Sequence, residues 1–206
     1  SQIRNNDAFI EGGGLYQFGG IGQIEWTSFE QNQGYDFGAG IVAREATMNL
    51  NQTTFEGNVS GTGSVMTCHG TAVEIANSIL WGNIGDQFYS SESAGISSLE
   101  ISYSDVEGGE NALTNFPNFS FTIGDGIINV DPQFCDPNIF DYSLDENSIC
   151  WSGSNTGGVL GAYESNCGEM VAIQKDILPN EFGLKQNYPN PFNPITKIHY
   201  TLEMDG

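Results

Sequence analysis

Apolar residues recur along this chain at a long and nearly constant step. Ile3, Phe29, Phe55, Leu80 and Val106 lie 26, 26, 25 and 26 residues apart, and Ile24, Leu50, Ile75 and Ile101 keep the same rhythm. Two polar columns run with them: Thr27, Thr53, Ser78 and Ser104, then Asn6, Asn32, Asn58 and Asn83, with Gly109 in fifth place. Registered columns of this kind mark an internal repeat. No segment offers an apolar face at i, i+3, i+4 and i+7 over three turns, so the repeat unit is not helical. Short β-prone runs separated by Gly-rich turns such as Gly12-Gly13-Gly14 and Gly38-Ala39-Gly40 predict an all-β chain, one coil of a right-handed parallel β-helix per 25–26 residues. A leucine-rich repeat has a similar period, but its Leu-x-x-Leu-x-Leu pattern is absent. The Asn column is expected at a tight turn, where Asn and Gly take the left-handed conformation cheaply. Its amides are also placed to bond from coil to coil at the strand spacing of about 4.8 Å.

After Gly109 the period breaks, with a polar loop expected through Asn111–Asn118. Asp131-Pro132-Gln133-Phe134, Asp141-Tyr142-Ser143-Leu144, Asn147-Ser148-Ile149-Cys150 and Gly161-Ala162-Tyr163 follow one another. This order resembles the closing coils of right-handed β-helix proteins of the pectate-lyase-like superfamily, with Ile149 where that family's turn carries Pro. The resemblance implies a cap over the open hydrophobic end of the solenoid, whose unpaired strand edges would otherwise invite aggregation. Farther on, Gln186-Asn187-Tyr188-Pro189-Asn190-Pro191-Phe192-Asn193-Pro194 leads into Lys197-Ile198-His199-Tyr200-Thr201-Leu202. This stretch resembles the start of a C-terminal sorting domain of the type IX secretion system, a small Ig-like β-sandwich. The resemblance implies export across an outer membrane, with the secretion machinery as partner and a secreted or cell-surface location. The family's later strands are missing after Gly206, so the sandwich is expected to be incomplete. The domain organisation expected is thus a β-helix with its cap over 1–165, a linker over 166–177 and the sorting-domain start over 178–206.

Charge narrows the partners. Five basic against 26 acidic residues among 206 give a net charge of −21, and three of the five (Lys175, Lys185, Lys197) lie in the linker and tail. Nucleic acid, anionic membrane surfaces and other polyanions held by a basic groove are disfavoured. No apolar run approaches the roughly 20 residues of a membrane helix.

Candidate chemistry lies chiefly on one strand face. With the Phe29/Phe55 column inward, strand alternation turns Glu30, Glu56, Trp81 and Glu107 outward. Glu30 and Glu56 on adjacent coils make a weak calcium or acid/base candidate, against the alternative of a solvated face. Asp105 and Glu110 flank the same face. Trp26, Trp81 and Tyr103 are candidates for stacking on sugar rings, against a structural role. No catalytic set and no cofactor other than this calcium candidate is assigned. His69 and His199 are the only histidines, too few for a zinc site without a Cys-x-x-Cys, and no elbow motif accompanies His69. The Gly runs enter no helix, so no nucleotide loop is present. Cys68 is expected to be a buried thiol. Cys135, Cys150 and Cys167 cluster near the cap, with Cys150–Cys167 favoured over Cys135–Cys150 and a fully reduced set left open. The function expected is an exported carbohydrate-binding or adhesive β-helix. The alternatives are the non-catalytic C-terminal part of a polysaccharide lyase or glycoside hydrolase, and a structural surface stalk.

Overall fold

The computed structural model describes residues 1–91, 95–113, 118–164, 167, 183–184 and 200–201. Two compact units emerge, Ser1–Cys167 and Gly168–Gly206. In the second, Gly183–Leu184 pairs antiparallel with Tyr200–Thr201. The sorting-motif residues Asn187, Tyr188, Pro189, Asn190, Pro191, Phe192, Asn193 and Pro194 lie outside the described residues.

The first unit is a parallel β-solenoid of about four turns. Its long sheet pairs Gln2–Arg4, Ile21–Glu30, Thr47–Glu56, Ala72–Ala76 with Ile79–Trp81, Ser97–Ser102 with Asp105–Val106, and Phe119–Ile123. A second sheet joins Leu15–Phe18, Ile41–Arg44, Met66–His69 and Phe88–Ser90, and a third Asp7–Ala8, Gln33–Phe37 and Val59–Thr62. Every pairing in the three is parallel.

The columns of the sequence are the register of the structure. Ile3 pairs with Phe29, Phe29 with Phe55, Phe55 with Leu80 and Leu80 with Val106. The Phe29 and Phe55 rings stack at 4.8 Å and 3°. Gly40 stands where the chain crosses that stack. A Cβ there would meet Val65 O at 2.5 Å and the Phe55 ring at 3.0 Å, so only Gly lets the backbone pass.

Corners are turned by single left-handed residues. Trp26, Gln52, Asn77 and Tyr103 (φ 44–53°) bend each long strand in the middle, and Asn5, Gln31 and Gly57 end it. The Asn column is therefore not the turn column expected, since the left-handed residue is the one before it. Instead its amides form a buried ladder. Asn6 donates to Asn32 Oδ1 (2.9 Å), Asn32 to Asn58 (3.0 Å) and Asn58 to Asn83 (2.9 Å). Asn32, Asn58 and Asn83 each also donate to a carbonyl of the preceding coils, those of Ile3, Phe29 and Phe55. Such fully satisfied buried polar groups fix one register. A second ladder runs through the hydroxyl column, with Ser78 Oγ accepting from Thr53 N and Ser104 Oγ from Ser78 N.

Coil length varies behind the long sheet. Gln33 pairs with Val59 and Gly34 with Ser60, but Phe37 pairs with Thr62, so one residue is absorbed in a bulge at Tyr35–Asp36. Met66 pairs with Phe88, yet Val73 again pairs with Leu99. The solenoid also continues past the expected break: a 3-10 turn over Gly109–Leu113 buries Leu113, and Phe119–Ile123 adds a further rung, Ile101 pairing with Ile123.

Candidate functional site

Each long strand is divided by its left-handed corner, and the two halves of the outer face meet different fates. On the half beyond the corner lie Ser28, Glu30, Thr54, Glu56, Ile79 and Trp81. Residues 131–164 fold along this flank instead of capping the solenoid end, and we call them the strap. Ile79, Leu144, Cys150, Val159 and Leu160 form a second buried cluster there, with Trp26, Trp81, Phe134 and Trp151 packed against it. The strap runs close. A Cβ on Gly161 (φ +80°) would lie 2.5 Å from Thr54 Oγ1 and 3.0 Å from Ile79. Backbone amides seal it: Gly161 N donates to Asn77 O (2.8 Å), Asn155 N to Asn77 Oδ1 (2.9 Å) and Ala162 N to Thr54 Oγ1 (2.9 Å).

The carboxylates expected on an open face are under this strap. Glu30 is 0% exposed, and its Oε1 accepts from Tyr163 OH. Tyr163 OH also meets Ser28 Oγ (2.9 Å) and accepts from Gln2 (3.0 Å). Tyr142 bonds Glu56, and Gln31 Nε2 donates to Tyr142 OH at 3.3 Å. Asp105, also 0% exposed, accepts from Val130 N (3.1 Å) and Cys150 Sγ (3.2 Å). The second oxygens of Glu30 and Glu56 are buried with no partner. Burial pushes Glu56 above the usual carboxylate range, with the Glu30 charge adding to it. Burial lifts Asp105 to about 6. Only Glu107 and Glu110 of the acidic set are exposed, and Glu107 accepts from Gly82 N at 2.9 Å. Trp26 and Tyr103 are corner residues. The expected carbohydrate or cation face of Glu30, Glu56, Trp81, Glu107, Trp26 and Tyr103 is thus not one open surface. Among the described residues no three His, Cys, Asp or Glu side chains group as metal ligands.

The cysteine pairing also differs. Cys135 bonds Cys167, and Cys150, favoured above as a partner, is a buried thiol donating to Asp105. Cys150 lies inside the strap's apolar cluster, whereas Cys135 is half-buried and Cys167 exposed. Cys68 is buried in the solenoid core.

The half before the corner is open. Gln23, Asn49, Glu74, Glu100 and Thr122 stand in register on successive coils, flanked by Glu25, Asn51, Ala76 and Ser102. Two adjoining clefts of about 330 and 310 Å³ run over them, sharing Asn49 and Glu74, and Asn155 of the strap lines the first. Asn77 Nδ2 donates to Asn51 Oδ1 (2.8 Å), holding one rung of this floor. These residues flank the Ile24/Leu50/Ile75/Ile101 column, and their polar character was the available signal. What hid them is that Glu30, Glu56 and the aromatics present the more conspicuous chemistry. The open row offers amides, carboxylates and a hydroxyl on rungs about 4.8 Å apart. That arrangement suits hydrogen bonding to an extended polyhydroxylic chain. Elsewhere, His69 Nδ1 meets Ser91 Oγ at 2.8 Å, and burial lowers the His69 pKa, with Arg44 nearby adding to the effect. No family model, curated protein or solved structure matches the chain.

Proposed function

We propose that this protein is an exported glycan-binding β-solenoid, of the right-handed pectate-lyase-like kind, whose binding surface is the cleft over Gln23, Asn49, Glu74 and Glu100. The observation that carries this reading is the in-register row of polar side chains beneath two adjoining clefts. A sugar chain lying along the solenoid axis meets one rung after another, and amides and carboxylates are suited to accept and donate hydrogen bonds to its hydroxyls. With a net charge of −21, the ligand is a neutral glycan and not a polyuronate. Export through the type IX machinery rests on the Asn187–Pro194 motif, and the Cys135–Cys167 disulfide suits an oxidising compartment.

Glycan-array screening followed by calorimetry tests the binding reading. Binding of a neutral polysaccharide is expected, weakened at least about tenfold, some 1.4 kcal/mol, in Asn49→Ala/Glu74→Ala. Equal binding by that variant, or preference for polyuronates, overturns it. Removal of residues 178–206 in an exporting host is expected to trap a folded solenoid in the periplasm. The Asn ladder and the hydroxyl ladder from Thr53 to Ser104 favour a second reading, a structural stalk, in which the clefts bind no glycan at all.

A further inference from the structure

The strap meets the solenoid through an unusual set of contacts. Three carboxylates from different coils lie under it, and each bonds a weakly acidic group of the strap: Tyr163 at Glu30, Tyr142 at Glu56, Cys150 at Asp105. Among the described residues none of the three carboxylates has an ion-pair partner, because Arg44 pairs with Glu11. Arg4 stands in register beside Glu30, but its guanidinium lies over the Phe140 ring at 4.8 Å. Glu30 and Glu56 are themselves in register on adjacent coils, each with one buried oxygen lacking a partner. Two neighbouring carboxylates without a cation, Glu30 buried and Glu56 half-buried, are costly as a pair of anions, and a bound proton removes one charge.

We infer that the strap is a pH-operated cover: protons on Glu56 and Asp105 beneath it hold it down, and their loss in less acidic solution loosens it from the solenoid flank. Burial and the neighbouring acids raise Glu56 and Asp105, outweighing the donors Tyr142 at Glu56 and Val130 N and Cys150 at Asp105, which favour the charged forms. Glu30 and Glu56 face each other and Tyr142, Glu30 also faces Tyr163 and the neighbouring Arg4, and Asp105 faces Cys150, Asp131 and Glu107. Arg4 is the one cation in that set. Both phenols and the Cys150 thiol are pushed upward by burial, so they keep their protons throughout the range in which Glu56 and Asp105 titrate. The Cys135–Cys167 disulfide closes a loop that contains most of the strap. Loosening it uncovers Glu30, Glu56 and Trp81 and withdraws Asn155 from the wall of the open cleft.

Tryptophan emission tests the inference without any ligand. The chain has three tryptophans, and Trp26, Trp81 and Trp151 all belong to the strap cluster. In the full chain the emission is expected to move to longer wavelength as pH rises from 4.5 to 8, with a midpoint near 6. The shift is expected to vanish in Glu56→Gln/Asp105→Asn, whose neutral side chains keep the strap closed. Hydrogen exchange provides a second reading: strap amides should lose about tenfold in protection, relative to strand Thr47–Glu56 in the same sample, over that interval. Emission and relative protection independent of pH, or an unchanged shift in the double variant, overturn the inference. So does a strap closed at pH 8 by calcium and released by Glu56→Gln, which would make the pair a cation site.

Discussion

The same long strands carry an open polar surface on one side of the left-handed corner and a dry, strap-covered surface on the other. The first half alternates cleanly, with Ile24, Leu50, Ile75 and Ile101 inward and Gln23, Asn49, Glu74 and Glu100 outward. In the second half both directions are buried: Phe29 and Phe55 face the solenoid core while Glu30, Thr54 and Ile79 face the strap. The difference teaches that alternation tells which way a side chain leaves a strand, and tertiary cover decides whether it meets water. A glutamate at such a position meets solvent on one side of Trp26, as Glu25 does, and is a buried acid on the other, as Glu30 is.

Breaking what the two halves share has the largest expected effect. Phe55→Ala opens a cavity in the ring stack and should cost about 3–5 kcal/mol in denaturant unfolding, loosening both halves together. Leu160→Ala strikes only the covered half. It should cost about 2–5 kcal/mol, and the tryptophan emission, but not the circular dichroism of the strands, should change.

pH separates the halves next. Asp105 sits at about 6 against an ordinary 3.8, chiefly through burial. A raised value in the folded protein means the stabilising proton is fully bound below pH 4 and lost as pH rises through 6. Unfolding free energy should therefore fall by about 3 kcal/mol across that window, and Asp105→Asn should flatten the fall.

Smaller effects sharpen the same contrast. Thr54→Val removes the acceptor for Ala162 N and should cost about 1–2 kcal/mol, read as faster hydrogen exchange in the strap. Asn49→Ala on the open half should change stability by less than about 0.5 kcal/mol. If thermal unfolding shows a loss as large as that of Thr54→Val, the open half is not the free surface described.

The solenoid was readable because its physics is periodic. A residue that must stack on its own counterpart, such as Phe29 on Phe55, repeats at the coil length, and the step alone places it. The same step places the Asn column, but the left-handed turn expected there lies one residue earlier. The ladder is what requires Asn32 and Asn58, while the left-handed geometry falls on Gln31 and Gly57. The strap's position is not legible in the sequence because it occurs once and has no period. Nothing in Asp141-Tyr142-Ser143-Leu144 says that its partners are Gln31 and Glu56, far back along the chain. Burial of Glu30 was hidden for the same reason, since its cover comes from Tyr163, and so was the choice of Cys135 over Cys150.

The bulge at Tyr35–Asp36 has a practical consequence for engineering. It takes up an odd residue between neighbouring coils while Phe29, Asn32 and their counterparts keep their stations. Tyr35 is 66% exposed, so the site is also at the surface. Foreign peptides grafted between Tyr35 and Asp36 would therefore be displayed from the solenoid surface, with the stacking spine undisturbed.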